Sequence, residues 1–172
     1  MIRLHTPLDE TKCLALKAGD RVLISGTIYG ARDQAHLRLK DETSIPIDLK
    51  GAVIYYVGPT PTKPGQVIGS SGPTSAYRMD TLATPLMAQG VKGMIGKGNR
   101  SESFQTAMRE HKAIYFMSIG GTGALLASKI KSQKTVLYED LGPEALIALE
   151  VEDFPCYVAY DLYGGSIFSE DQ

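Results

Sequence analysis

Cysteine is nearly missing from this chain. Among 172 residues only Cys13 and Cys156 occur, far apart in sequence. That argues against a disulfide framework and reads as two free thiols in a cytosolic protein. Two cysteines also cannot hold an iron–sulfur cluster alone, because cluster sites take several thiolates. An excess of one charge is absent too. Lys and Arg number 18 against 19 Asp and Glu, a formal net charge of −1. Such a balance leaves no electrostatic footprint for nucleic acid or a membrane surface. No apolar run approaches the roughly 18 residues of a membrane span. The first residues, Met1 to Pro7, hold no apolar signal core. Repeats and low-complexity segments are lacking.

What is present is ordinary globular composition, 43% hydrophobic and 22% charged. The length suits one domain spanning residues 1–172. Glycines fall where apolar runs end, as turns should. A short helix is expected from Pro7 to about Leu16, and a strand over Arg21 to Tyr29, rich in β-branched residues. A helix follows over residues 31–39. Ala52 to Val57 (AVIYYV) reads as a strand buried on both faces. Residues 60–72 form a long surface loop, a kind that often carries function. Then come a helix over 74–83 broken by Pro85, a strand at 93–95, and a helix opened by Ser101. A strand over 113–118, a tight turn at 120–123 and a helix over 124–131 come next. A strand at 136–138, a short helix near 143 and a strand over 155–160 complete the pattern. Alternating strands and helices predict an α/β fold with a partly parallel, mixed sheet.

Four turns invite a chemical reading. In Gly69-Ser70-Ser71-Gly72-Pro73-Thr74, small residues precede a proline at a helix start. Free N–H groups and the positive helix end then suit an anion. Arg78, four residues after Thr74, would share its face and bind a carboxylate through both oxygens. A capped helix with a solvated arginine accounts for the same pattern. Gly96-Lys97-Gly98 joins a strand to a helix but lacks the GxxxxGK[ST] spacing of a nucleotide loop. Its glycines would let backbone approach a ligand, or Lys97 is simply a surface lysine. Arg32 and Asp33 follow a strand end, where α/β crevices open, with His36 close behind. A local Arg–Asp pair and a solvated histidine explain them equally. Gly120-Gly121-Thr122-Gly123 lacks the third glycine of GxGxxG, so close packing is the better account. His5 and His111 lack the neighbours of a metal site. No complete nucleophile–base pair is visible, so these residues alone reach an anionic small molecule but not a reaction.

Longer stretches carry more. GDRVLISGTIYGARDQAH, DLKGAVIYYVGPTP, SSGPTSAYRMD, GVKGMIGKGNRS and YEDLGPEALIALEVEDFP occur in this order. Together they resemble the β subunit, or C-terminal domain, of class I iron–sulfur fumarate hydratases and the related L(+)-tartrate dehydratases. The stretches GMIGKG and YEDLGPEA look more like the fumarase form. The resemblance implies a swivelling β/β/α domain with flanking helices. It implies a cytoplasmic hydro-lyase of the tricarboxylic acid cycle that adds water reversibly to fumarate, giving (S)-malate. It implies a partner α subunit that carries a [4Fe–4S] cluster, whose open iron serves as Lewis acid. Assembly into a homo- or hetero-oligomer follows, with no metal ligand on this chain and no nucleic-acid or membrane partner.

By the same resemblance, Thr74 looks like the hydroxyl that takes part in proton transfer at carbon. Arg78, Lys97 and Arg32 look like contacts for the carboxylates of a dicarboxylate substrate, and Ser70, Ser71 and Gly72 would line the pocket. A threonine hydroxyl is a weak base, so a carboxylate of the α subunit would have to activate it. Tartrate dehydratase and a non-catalytic carboxylate-binding module are the alternatives.

Overall fold

The computed structural model describes residues 1–42, 44–118 and 123–168. Its strands are β1 (Ile2–His5), β2 (Arg21–Gly30), β3 (Val53–Tyr55), β4 (Gly93–Gly96), β5 (Ile114–Ser118), β6 (Ile130–Leu137) and β7 (Leu146–Tyr160). Its α-helices are α1 (Glu10–Leu14), α2 (Asp33–Leu39), α3 (Asp80–Ala88), α4 (Glu102–His111) and α5 (Gly123–Ala127). Strands β1 to β5 run parallel to their neighbours. β7 pairs antiparallel with β5, with β6 and with β2. The last pairing closes β2-β3-β4-β5-β7 into a five-stranded ring, with β1 and β6 as outriggers.

Period-two alternation divides the apolar residues between two cores. Val53, Tyr55, Val57, Ile95, Ile114 and Phe116 turn inward with Ile24, Ile28, Leu149 and Phe154. Their neighbours Ile54, Tyr56, Met94 and Tyr115 turn outward. There they meet Leu39 of α2, Leu86 and Met87 of α3, and Phe104 and Met108 of α4. Hence AVIYYV is apolar at every position. Ser101 opens α4 by accepting the Phe104 N–H at 3.1 Å.

Several boundaries differ from the sequence expectation. β1 lies outside the expected elements; its short alternating segment is held by pairing with β2. The helix expected over 74–83 begins later, with a 3-10 turn at Tyr77–Met79 and then α3. Pro85 lies inside α3 rather than breaking it. The strand expected at 136–138 begins at Ile130, and the one expected at 155–160 begins at Leu146. In β6 the polar run Lys131-Ser132-Gln133-Lys134 hides the strand, because a solvated edge needs no apolar residues. The glycine turn at 120–123 falls largely outside the described residues. No described helix is long and apolar enough to cross a membrane.

Candidate functional site

The registers Tyr55↔Ile95 and Gly96↔Met117 bring the carboxyl ends of β3, β4 and β5 to one level, beside the end of β2. Ligand crevices of parallel sheets open at such ends. Here Arg32 follows β2, the segment 58–75 follows β3, and Lys97 follows β4. A cleft of about 300 Å³ lies among Gly72, Pro73, Gly96, Lys97, Met117 and Ser118. That is the low end of ligand-pocket volumes and suits a small molecule.

Thr74 is tied down by its own backbone. The Tyr56 carbonyl accepts the Thr74 N–H at 2.8 Å and the Thr74 hydroxyl at 3.2 Å. Ser75 then bridges to Lys97, and the Ala76 N–H donates to the Lys97 carbonyl at 2.9 Å. The SSGPT and GKG segments are therefore stitched together. Since no helix starts at Pro73, the helix-dipole account of this anion site falls. So does the shared helical face of Thr74 and Arg78, which lie in different local structures. Arg78 sits in the 3-10 turn and reaches across to Asp33, both oxygens accepting from Nη1 at 2.7 and 2.9 Å. Asp33 thus partners Arg78 rather than its neighbour Arg32. The Arg32 side chain packs against Gly58, where a Cβ would stand 2.7 Å from its Nη1. Arg32 Nε is buried with no hydrogen-bond partner among the described residues.

The serines sit differently from the expectation. Ser71 is fully buried, and its hydroxyl donates to the Gly69 carbonyl at 2.7 Å. The Tyr55 hydroxyl in turn donates to the Ser71 carbonyl. Ser70 is exposed and lines a neighbouring groove with Thr60, Gly69 and Ala124. Only Gly72 of the three borders the cleft. Gly96, on the cleft lining, also has a packing reason to be glycine. A Cβ there would meet Ala76 Cβ and Tyr56 Cδ2, each at 2.8 Å. Gly98 turns the chain at φ +86.

His36 is buried rather than solvated, at 1% exposure. Its Nδ1 lies 2.8 Å from the Arg32 carbonyl. A carbonyl only accepts, so Nδ1 carries the proton. Burial pushes the His36 pKa down to about 4, against smaller opposing effects of the Arg32 carbonyl and Asp33. The cleft residues Met117 and Ser118 escape sequence reading, because a strand's last residues carry no signal of what they face.

Neither cysteine suits a metal. Both are buried in the inner core. Burial pushes the Cys13 thiol up to about 11 and the Cys156 thiol further up, whereas the thiolate is the metal ligand. Among the described residues no group of three or more His, Cys, Asp or Glu is placed to hold a metal. The described residues do not fit an iron–sulfur cluster.

Fold and cleft together define a mixed α/β barrel domain with a small, lysine-bearing cleft at its parallel strand ends. The chain belongs to the Fumarase C-terminus family, whose model matches residues 1–171. It is 42% identical to the aerobic class I fumarate hydratase of Escherichia coli (strain K12), over 99% of this chain and 33% of that protein. It is 36% identical to fumarate hydratase 2 of Leishmania major, over 98% of this chain and 31% of that protein. A putative L(+)-tartrate dehydratase subunit beta of Methanocaldococcus jannaschii is 36% identical, over 90% of this chain and 85% of that protein. The chain thus spans about one third of the fumarate hydratases it matches.

Proposed function

We propose that this chain is the β part of an iron–sulfur hydro-lyase that reversibly hydrates fumarate to (S)-malate. A partner α subunit, corresponding to the other two thirds of the fumarate hydratase relatives, carries the [4Fe–4S] cluster. The observation that carries this reading is the stitched cleft. Lys97 lies on it, Arg78 follows within one short turn, and Arg32 stands at the end of the adjoining strand. Fumarate and malate are dianions. Three cations offset two carboxylates, and charge-assisted hydrogen bonds are roughly twice as strong as neutral ones. Asp33 holds Arg78 until a substrate carboxylate replaces it. Gly72 borders the substrate by its backbone, while Ser70 and Ser71 hold the loop that positions it.

Thr74 takes the proton from carbon when malate is dehydrated and returns it when fumarate is hydrated. Its hydroxyl already donates to the Tyr56 carbonyl, which orients the oxygen lone pairs away from that bond. A hydroxyl is too weak a base alone, so its proton leaves the Tyr56 carbonyl for a carboxylate of the α subunit, which frees the oxygen to take the proton from carbon.

The β-subunit relative, of which 85% is covered, supports a separate partner chain and keeps tartrate as the second substrate to test. The test is co-expression with the α subunit, assembly with iron and sulfide without oxygen, and assay against fumarate, malate and tartrate. Turnover of fumarate and malate above tartrate is expected. Turnover of tartrate alone would make it a tartrate dehydratase, and turnover of none would leave a carboxylate-binding module.

A further inference from the structure

Two charged residues within the matched stretches have no role so far: Asp80, which ends SSGPTSAYRMD, and Arg100 in KGNRS. Both are buried, at 7% and 3% exposure. They pair, Arg100 Nε donating to Asp80 Oδ1. The other Asp80 oxygen accepts the Ser101 N–H at 2.6 Å. The Arg100 guanidinium lies 3.5 Å from the Phe104 ring centroid, and its Nη2 donates to the Tyr56 hydroxyl at 3.3 Å. The Arg100 N–H donates to the Tyr160 hydroxyl at 3.0 Å. The Tyr115 hydroxyl donates to the Gly98 carbonyl at 2.8 Å.

The turn that begins at Lys97 is therefore gripped at Gly98, Arg100 and Ser101. The grips come from α3, β5 and β7. Asp80 stands two residues after Arg78, so the ion pair ties the Arg78 turn to the Lys97 turn. Stability alone does not call for such a pair, since apolar residues of similar volume often serve as well. A planar guanidinium fork adds fixed direction, which an apolar contact lacks.

We propose that Asp80, Arg100 and Tyr115 are positioning residues that set Lys97 relative to Arg78, and so fix the spacing of two cations that receive the substrate carboxylates. This rests on the reading of Lys97 and Arg78 given above. None of the three touches the reacting atoms. Their loss blurs ground-state and transition-state binding alike, which raises KM and spares kcat.

The test uses the assembled enzyme and three variants. Lys97→Met probes the cleft. Tyr115→Phe deletes one hydroxyl and keeps the ring. Arg100→Lys keeps the charge and loses the fork. Expected are KM increases of about tenfold or more for all three, a size reached by small misplacements. For Tyr115→Phe, kcat should stay within about threefold of the parent. If Lys97→Met raises KM but Tyr115→Phe and Arg100→Lys stay within about twofold, the positioning role is overturned and the cleft reading survives. A lower melting temperature with unchanged KM in those two variants overturns it in the same way. If Lys97→Met leaves KM unchanged, the cleft reading falls and this inference falls with it. Should Arg100→Lys not fold, Tyr115→Phe decides alone.

Discussion

Arg78 holds Asp33 with one nitrogen, Nη1 reaching both carboxylate oxygens at 2.7 and 2.9 Å across 45 positions of sequence. The bridge is partly open to water, with side-chain exposures of 42% and 28%. Exposed pairs of this kind are worth roughly 0.2–1 kcal/mol. The contact therefore orients Arg78 more than it stabilises the fold.

Arg78→Lys should harm activity far more than stability. A fork able to grip both oxygens of a carboxylate becomes a point charge. The expected loss in kcat/KM is about 2–4 kcal/mol, with little change in melting temperature. Steady-state kinetics of the assembled enzyme beside thermal melts decide it; parental kcat/KM would place Arg78 outside the site.

Thr74→Ala removes the hydroxyl bonded to the Tyr56 carbonyl. Stability should fall by about 1 kcal/mol, the net worth of one neutral hydrogen bond. If Thr74 moves the proton at carbon, kcat should drop by roughly 10²–10⁴-fold while Thr74→Ser keeps most activity. A drop in kcat of less than about threefold would leave only the structural bond.

His36 should make the fold sensitive to acid. Its folded pKa, about 4, lies below the ordinary 6.5. Between those values the unfolded chain binds the proton and the folded chain does not, so stability rises with pH. The contribution is full above pH of about 6.5 and is lost as pH falls through about 4, on the order of 3 kcal/mol. Urea unfolding across this range should show the slope, and His36→Gln should flatten it. An equal slope in that variant would move the origin elsewhere.

Gly96→Ala should destabilise by about 1–3 kcal/mol, the usual cost of overpacking. Its methyl has no free direction between Ala76 and Tyr56. A thermal melt checks this, and an unchanged melting temperature would mean that the two segments yield easily.

The isolated chain should resist thiol alkylation at neutral pH until unfolded, because both thiols are buried and their pKa values raised. Treated with iron and sulfide, it should gain no cluster absorbance and hydrate no fumarate. Turnover by the chain alone would contradict the two-part enzyme.

Sequence pattern reveals the elements that obey one rule at a time. AVIYYV and residues 113–116 (AIYF) are apolar throughout because they are buried on both faces, and Ser101 caps α4 by an ordinary local bond. The start of α3 is not legible, because Gly-Pro-Thr imitates a helix opening. Here Thr74 and Ser75 instead follow Tyr56 and bridge to Lys97, a long-range pairing that local propensity does not encode. The same limit hides the Arg78–Asp33 contact and the pairing of Asp80 with Arg100. Arg32, Thr74, Arg78 and Lys97 stand out by resemblance and turn chemistry. Their gathering at one end of the barrel needs the strand registers.

The β2–β7 ladder has a further consequence, for folding kinetics. It joins residues as distant as Arg21 and Tyr157, 136 positions apart. Closing so large a loop costs entropy before any contact repays it, and pairings of this range fold slowly. Ring closure is therefore expected to be a slow step, and until it occurs β2 offers a bare edge to other chains. The Lys97 and Thr74 segments rest on β3 and β4, whose partners lie much closer in sequence. The cleft is built on pairings of shorter range, and the long-range ladder closes the barrel.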